Sequence, residues 1–323
     1  MSKVREEIAC ILKKSGAIAV AATHAEEVEE RAWKEYLDWL SDGMHASMTY
    51  MENHLHIRKD PRLLLEGAKS IITLAFNFHP AEYRDNADGM IACYAYGEDY
   101  HDLLRRELNK SVQALKENFG GEYRICIDSA PIMERYWAVK SGLGRRCANG
   151  SVEVEGFGNM LFLAEILTTL DISSVTEEYY IGHPEDEDKD NCQKGCDNCN
   201  ACTRSCPAGA LLPSGRVNSR KCISYLTIEH RGDWISEEER EAMNTRTGRN
   251  TIFGCDLCLR ACHLNRATPP TDLEGLKPKE KIMRLSPQDI REMTQEDFSR
   301  TFKGSPIKRA KLAGLKRNIG YKA

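Results

Sequence analysis

Eight of the thirteen cysteines in this 323-residue chain fall between Cys196 and Cys262. The first four read Cys196-x2-Cys199-x2-Cys202-x3-Cys206-Pro207. Three thiolates spaced two residues apart wrap one face of an iron–sulfur cube, because a tight turn aims successive side chains into a common concavity. The fourth, followed by proline, points away toward a second cube. The second half is looser: Cys222, then Cys255-x2-Cys258-x3-Cys262. Crossing the fourth cysteines over assigns Cys196, Cys199, Cys202 and Cys262 to cluster one. Cluster two then takes Cys206, Cys222, Cys255 and Cys258. Structural zinc is the competing reading, but zinc sites use four ligands, usually as two Cys-x2-Cys pairs. Such pairs leave the three-in-a-row and Cys-Pro pattern unexplained. Two neighbouring [4Fe–4S] clusters carry single electrons from an external donor to an internal acceptor, and do not by themselves explain reduction of an organic substrate. Cys10, Cys93, Cys126, Cys147 and Cys192 lie outside the pattern and read as buried small hydrophobes.

Around this centre the chain is ordinary for a soluble protein: 41% apolar, 29% charged, formal net charge −4. The longest apolar runs, such as Ile71–Phe76, are strand-sized. No apolar signal core follows Met1, so a cytoplasmic location is expected, with no membrane partner. Reducing conditions there argue against a disulfide scaffold. The charge gives no global pull toward nucleic acid. It is unevenly placed, with acids at Glu185-Asp186-Glu187-Asp188 and an acid-free tail from Phe302 to Ala323 that carries seven Lys and Arg residues.

The elements expected to position the cysteines alternate. Helix is expected over Lys3–Lys14 with Gly16 as C-cap, over Ala25–Leu40, His101–Phe119, Pro131–Lys140 and Asn159–Leu170. Strand is expected over Ala17–Ala21, Ser70–Phe76, Tyr123–Ile127 and Glu177–Ile181. The fold class is therefore α+β: an N-terminal mixed α/β domain (1–182), a ferredoxin-like two-cluster domain (183–270) and a basic helical segment (271–323) packing back on the first.

Several segments converge on one family. They are Tyr96-Gly97-Glu98-Asp99-Tyr100-His101, Ile127-Asp128-Ser129-Ala130-Pro131, Cys222-Ile223-Ser224-Tyr225-Leu226-Thr227-Ile228-Glu229, Phe253-Gly254-Cys255-Asp256-Leu257-Cys258 and Phe302–Lys311. In this order, from about Ile18 to Asn318, they resemble epoxyqueuosine reductase, an iron–sulfur and cobalamin enzyme of tRNA modification. The resemblance implies a cobalamin lodged between the first domain and the cluster domain, with cluster electrons delivered to cobalt. The epoxide of the modified wobble base is then reduced, water leaves and queuosine remains. It implies Asp128 as general acid, its pKa raised by burial. From its position alone, Asp128 reads rather as a cap for the helix opening at Pro131.

The resemblance also implies cofactor contacts at Arg58, Asn149, Val152, Leu163, Ser224, Cys255 and Asp256, and tRNA contacts at Glu229, Arg231 and Gly232. The partners implied are a tRNA anticodon stem-loop and a flavodoxin- or ferredoxin-type electron donor, with the protein acting as a monomer. Arg145-Arg146 and the Lys303–Lys322 tail are candidate phosphate contacts. The chain departs from the family pattern at Gly144-Arg145-Arg146-Cys147-Ala148-Asn149, where an aromatic, a glycine and a lysine are replaced. His263 follows Cys262 where proline is frequent. Two alternatives share the clusters: a cobalamin-dependent reductase of another substrate, and an iron–sulfur electron carrier that has lost cobalamin.

Overall fold

A computed structural model describes residues 3–85, 88–172, 196, 199–212, 215–234 and 236–320. The strand expected over 177–181, the acidic run at 185–188 and Cys192 lie outside these residues.

In chain order the first elements are α1 (Lys3–Lys13), β1 (Ala19–His24), α2 (Glu30–Ser41), α3 (Leu55–Lys59), β2 (Ser70–Asn77) and β3 (Met90–Ile91). There follow α4 (Tyr100–Phe119), β4 (Tyr123–Cys126), α5 (Glu134–Lys140), β5 (Arg145–Arg146), β6 (Val152–Glu153) and β7 (Leu161–Thr168). The cysteine-bearing region contributes α6 (Ala201–Ser205), α7 (Ile223–Ile228), α8 (Glu237–Asn244), α9 (Arg246–Arg249), β8 (Thr251–Phe253) and α10 (Leu257–Arg260). The chain then runs through α11 (Glu280–Met283), α12 (Pro287–Glu292), α13 (Gln295–Thr301) and α14 (Lys311–Gly320).

The main sheet has the order β1-β2-β7-β4, and every pairing in it is antiparallel. β2 is buried along its whole length, because both faces of the sheet are covered. Ile72, Leu74 and Phe76 face the layer of α1, α4 and the C-terminal helices, whereas Ile71 and Ala75 face α2 and α5. This alternation is the period-2 geometry of a strand. These five residues are 0–1% exposed, and at about 25 cal/mol per Å2 their buried apolar surface stabilises the sheet.

The segment expected as a helix over Asn159–Leu170 is instead β7, hydrogen-bonded between β2 and β4. Its run Leu161-Phe162-Leu163-Ala164-Glu165-Ile166-Leu167 is apolar on both sides, so periodicity alone does not separate strand from buried helix. Pairing on two edges decides it. The helix expected to open at Pro131 begins three residues later, at Glu134.

The principal core takes side chains from the whole chain, including Ile8, Leu104, Phe162, Phe253, Phe302 and Ile319. A parallel pairing of β3 with β8 ties residues 90–91 to residues 251–253. Arg84 adds a polar tie. It is only 3% exposed and donates to the carbonyls of Asp88, Gly89, Ile282, Met283 and Leu285. Burial lowers its pKa, but five carbonyl partners replace the water it has lost.

Candidate active site

Several of the eight cysteines lie within electrostatic reach of one another. Cys262 lies within electrostatic reach of Cys196, Cys202 and Cys199. Cys255 lies within reach of Cys222 and Cys206, and Cys258 of Cys255, Cys222, Cys206 and, least, Cys202 of the other set. Backbone N–H groups point at several of these sulfurs: Ala210 at Cys206, at 3.3 Å, and Ser224 and Tyr225 at Cys222. Cys222 stands as N-cap of α7. Burial pushes the thiols of Cys222, Cys258 and Cys262 up, and that of Cys255 up to about 12. A nest of buried thiolates is therefore costly unless cations stand between them. Iron supplies that charge, so the donor set fits a pair of iron–sulfur cubes. A zinc site takes four ligands on one ion, usually as two Cys-x2-Cys pairs, and does not account for eight thiols at this spacing. Of the other cysteines, Cys93, Cys126 and Cys147 are buried as expected, but Cys10 is exposed.

Asp128 sits on the loop between β4 and α5 with φ +49°. Its carboxylate does not cap the following helix, whose N-cap is Met133 with no side-chain cap. It turns instead to the first turn of α4. Tyr100 Oη donates to it at 2.9 Å, and His101 Nε2 lies 3.0 Å away. His101 Nδ1 meets Asp99 Oδ1 at 2.8 Å, and Asp99 also accepts the backbone N–H of His101 as N-cap of α4. His101 is thus held between two carboxylates at the positive end of a 20-residue helix.

The titration of this group runs opposite to the raised carboxyl expected from sequence. Burial pushes the Asp128 pKa up, but the hydrogen bond and charge of His101, with Tyr100 and Arg135, outweigh it and leave the group lowered. Burial pushes His101 down, but its bonds to Asp128 and Asp99 carry it up to about 9. At neutral pH the proton therefore rests on His101, and Asp128 is a carboxylate. His101 went unassigned in the sequence although it ends one of the quoted segments. The Asp-x-His spacing at a helix start was the available signal.

The Asp128 side chain is 57% exposed, yet burial still opposes its ionisation. It lines an open recess rather than a convex surface. Asp128, Glu229 and Arg309 each act on the ionisation of Tyr50 and of half-buried Tyr94. Arg309 is bidentate on Glu229, at 2.9 and 2.8 Å, and lies over the Tyr50 ring at 5.9 Å. Burial and Glu229 push Tyr50 up to about 12. Arg135, from α5, feels the charges of Glu134, Arg146, Asp128 and Cys258.

Behind the loop lies a carboxyl pair that sequence reading missed inside an apolar run. Glu165 of β7 is fully buried, with neither oxygen hydrogen-bonded. Burial and then Glu134 raise its pKa. Burial and then Asp128 push Glu134 up to about 8. Glu134 accepts the Asp128 backbone N–H at 2.5 Å.

The expected contact residues divide. Arg58 is buried and donates to the carbonyls of Asn53 and Tyr50, holding the Tyr50 loop rather than standing in solvent. Val152 packs in a core cluster with Leu143 and Ala138, with Leu163 at its edge. Asp256 is 2% exposed, accepts the Cys93 backbone N–H at 2.9 Å and lies 3.0 Å from Arg260 Nε, so its carboxylate is occupied. Asn149 is buried, and its Nδ2 has no partner. Ser224 is half-buried, one residue past Cys222. Arg231 and Gly232 are exposed, but Arg231 donates to the carbonyls of Ile228 and Arg309. Arg145 pairs with Glu153, and Arg146 lies 3.6 Å from Glu35, which reduces both as phosphate contacts. In the tail, Lys303, Lys308, Arg309, Lys311 and Lys316 are exposed while Ile307 and Leu315 are buried. No helix among the described residues is long and apolar enough to cross a membrane.

A mixed α/β body joined to a double-cluster cysteine nest, with a titratable recess at the junction, defines an iron–sulfur oxidoreductase. A family model described as 4Fe-4S double cluster binding domain matches residues 195–265, and one described as epoxyqueuosine reductase QueG, DUF1730 matches residues 58–129. The epoxyqueuosine reductase of Cyclobacterium marinum is 38% identical over 88% of this chain and 86% of its own. That of Cellulophaga algicola is 34% identical over 95% and 94%. A crystal structure of epoxyqueuosine reductase with an epoxyqueuosine-modified tRNA-Tyr stem loop superposes with a TM-score of 0.83 at 24% identity, over 98% of this chain and 80% of that one. The chain belongs to the epoxyqueuosine reductase family, oxidoreductases of tRNA modification.

Proposed function

We propose that this chain reduces epoxyqueuosine to queuosine at the tRNA wobble position, using cobalamin held between residues 1–182 and the cluster region 183–270. Bound there, cobalamin would supply the electron chemistry at the epoxide carbon. The eight cysteines, as two four-thiolate sets, would pass electrons inward from a flavodoxin- or ferredoxin-type donor, in a cytoplasmic monomer. The observation that carries the reading is the Asp128 carboxylate held by Tyr100 and His101, with Arg135 feeling both Asp128 and the cluster-two thiol of Cys258. The unpartnered Asn149 amide and the Ser224 edge of α7 are donors suited to a large amide-fringed cofactor.

Opening an epoxide leaves an alkoxide that must gain a proton before its oxygen departs as water. Protonated His101 holds that proton against Asp128, which would hand it to the substrate oxygen, with Asp99 keeping the ring oriented. Glu229 and Tyr50, linked through Arg309, would with Arg231 and Gly232 form the tRNA-facing side. With the exposed tail lysines they suit a single-stranded anticodon loop carrying one splayed base. The stem-loop bound in the superposed relative supports the same substrate.

The test is nucleoside analysis of tRNA from a strain lacking this chain, with and without complementation. Epoxyqueuosine accumulation reversed by the wild type but not by Asp128→Asn is expected. Unchanged queuosine in the deletion strain would overturn the reading. Purification under anaerobic conditions with added cobalamin should retain cobalt, and clusters without cobalt would favour an electron carrier.

A further inference from the structure

Asn159 stands just before β7, 2% exposed, at the seam between the first half of the chain and the cysteine nest. Its side chain is locked by a reciprocal pair with Asn265. The Asn159 backbone N–H donates to Asn265 Oδ1 at 2.8 Å, and Asn265 Nδ2 donates back to Asn159 Oδ1 at 2.7 Å. Asn265 is fixed in turn by donating to the Leu259 carbonyl at 2.7 Å. Because Asn159 Oδ1 is occupied as acceptor, the amide has one consistent orientation, with its N–H groups turned the other way. There Asn159 Nδ2 lies 3.6 Å from Cys262 Sγ, and it also reaches the thiol of Cys147, itself 2% exposed. The close approach depends on Gly158, where a Cβ would lie 2.1 Å from Asn265 Oδ1. The backbone is shaped to bring these two amides together.

We infer that Asn159 tunes the reduction potential of cluster one by donating a side-chain hydrogen bond to the sulfur of Cys262, an inference that rests on the two-cluster reading. An added electron makes a cluster more negative, and a donor aimed at a ligand sulfur favours that form, so the bond raises the potential. Backbone N–H groups reach both sets, from Leu264 to Cys262 and from Ala210, Ser224, Tyr225 and Leu257 to Cys206, Cys222 and Cys255, so the Asn159 side chain is what Cys262 has in addition. Arg135 feels both Asp128 and Cys258 of cluster two. Cluster one, with exposed His263 only 3.7 Å from Cys199 Sγ, therefore lies on the side of the external donor. The raised potential eases its reduction by that donor.

The experiment is a potentiometric titration of the reconstituted holoprotein followed by electron paramagnetic resonance. Cys199→Ser marks the signal of cluster one. Wild type should hold about eight irons, and four or fewer would sink the two-cluster reading itself. In Asn159→Leu and in Asn159→Asp, which keeps the acceptor to Asn265, iron content should be retained. The reduction equilibrium of the marked cluster should fall about tenfold, which is 59 mV for a one-electron couple, while the other signal moves less. Two full clusters with unchanged potentials in both variants would overturn the inference. Loss of half the iron from both variants would also overturn it, making Asn159 a scaffold for the site rather than a tuner.

Discussion

The pairing of His101 with two carboxylates has a consequence that one substitution exposes. His101 is moved from 6.5 to about 9, against the pull of burial, by its bonds to Asp128 and Asp99. At 1.36 kcal/mol per pH unit the full displacement corresponds to about 3 kcal/mol. The ring is 34% exposed, so screening reduces its share of stability to about 1–2 kcal/mol. Since the folded value lies above the unfolded one, this stabilisation is fully present below 6.5 and is lost as the pH rises through 9. Asp128→Asn removes the Nε2 partner, and an opposite charge at such a distance is worth about 1–3 pH units. The histidine should therefore titrate at least one unit lower, with burial then pulling it further down. Nitrogen-15 ring resonances, assigned with His101→Gln, measure this directly. The wild-type rate should also fall as the pH passes about 9, while Asp128→Asn keeps its clusters and colour but loses turnover. A wild-type His101 that titrates near 6.5, or that ignores Asp128→Asn, would refute the assignment of the proton.

Glu165 is held neutral, so the chain loses stability as the pH climbs above 4.5 toward its raised folded value. Glu165→Gln has no such proton to lose, and in urea it should gain on wild type at about pH 8 but not at about pH 5. Arg84→Met strands five carbonyls and should cost about 3 kcal/mol or more in urea unfolding. Gly158→Ala places a Cβ against Asn265 Oδ1 at a φ of +63°. It should cost about 2 kcal/mol in the same assay.

The cysteine nest was legible because ligand spacing is a covalent constraint, and no packing decision alters which thiols can share a cube. The Asp128 loop was legible only through family resemblance, and there the sequence misled about charge. Burial of a carboxyl is a guess from local context, whereas the His101 imidazole that outweighs it comes from a helix start 27 residues earlier. β7 was misread because an apolar run covered on both faces carries no period, and Glu165 vanished inside it for the same reason. Asn159 and Asn265 left no trace either. A reciprocal amide pair 106 residues apart is visible only once the backbone has brought it together.

The principal core draws on Ile8 and on Ile319, which gives the order of maturation. A nascent chain cannot close its largest apolar interior until residue 319 has left the ribosome, although every cysteine of the nest has emerged some 57 residues before. During that interval the sulfurs are reachable by iron donors and equally by oxidants. Once the interior is finished Cys262, at 8% exposure, is closed off, while the other seven nest thiols keep partial exposure.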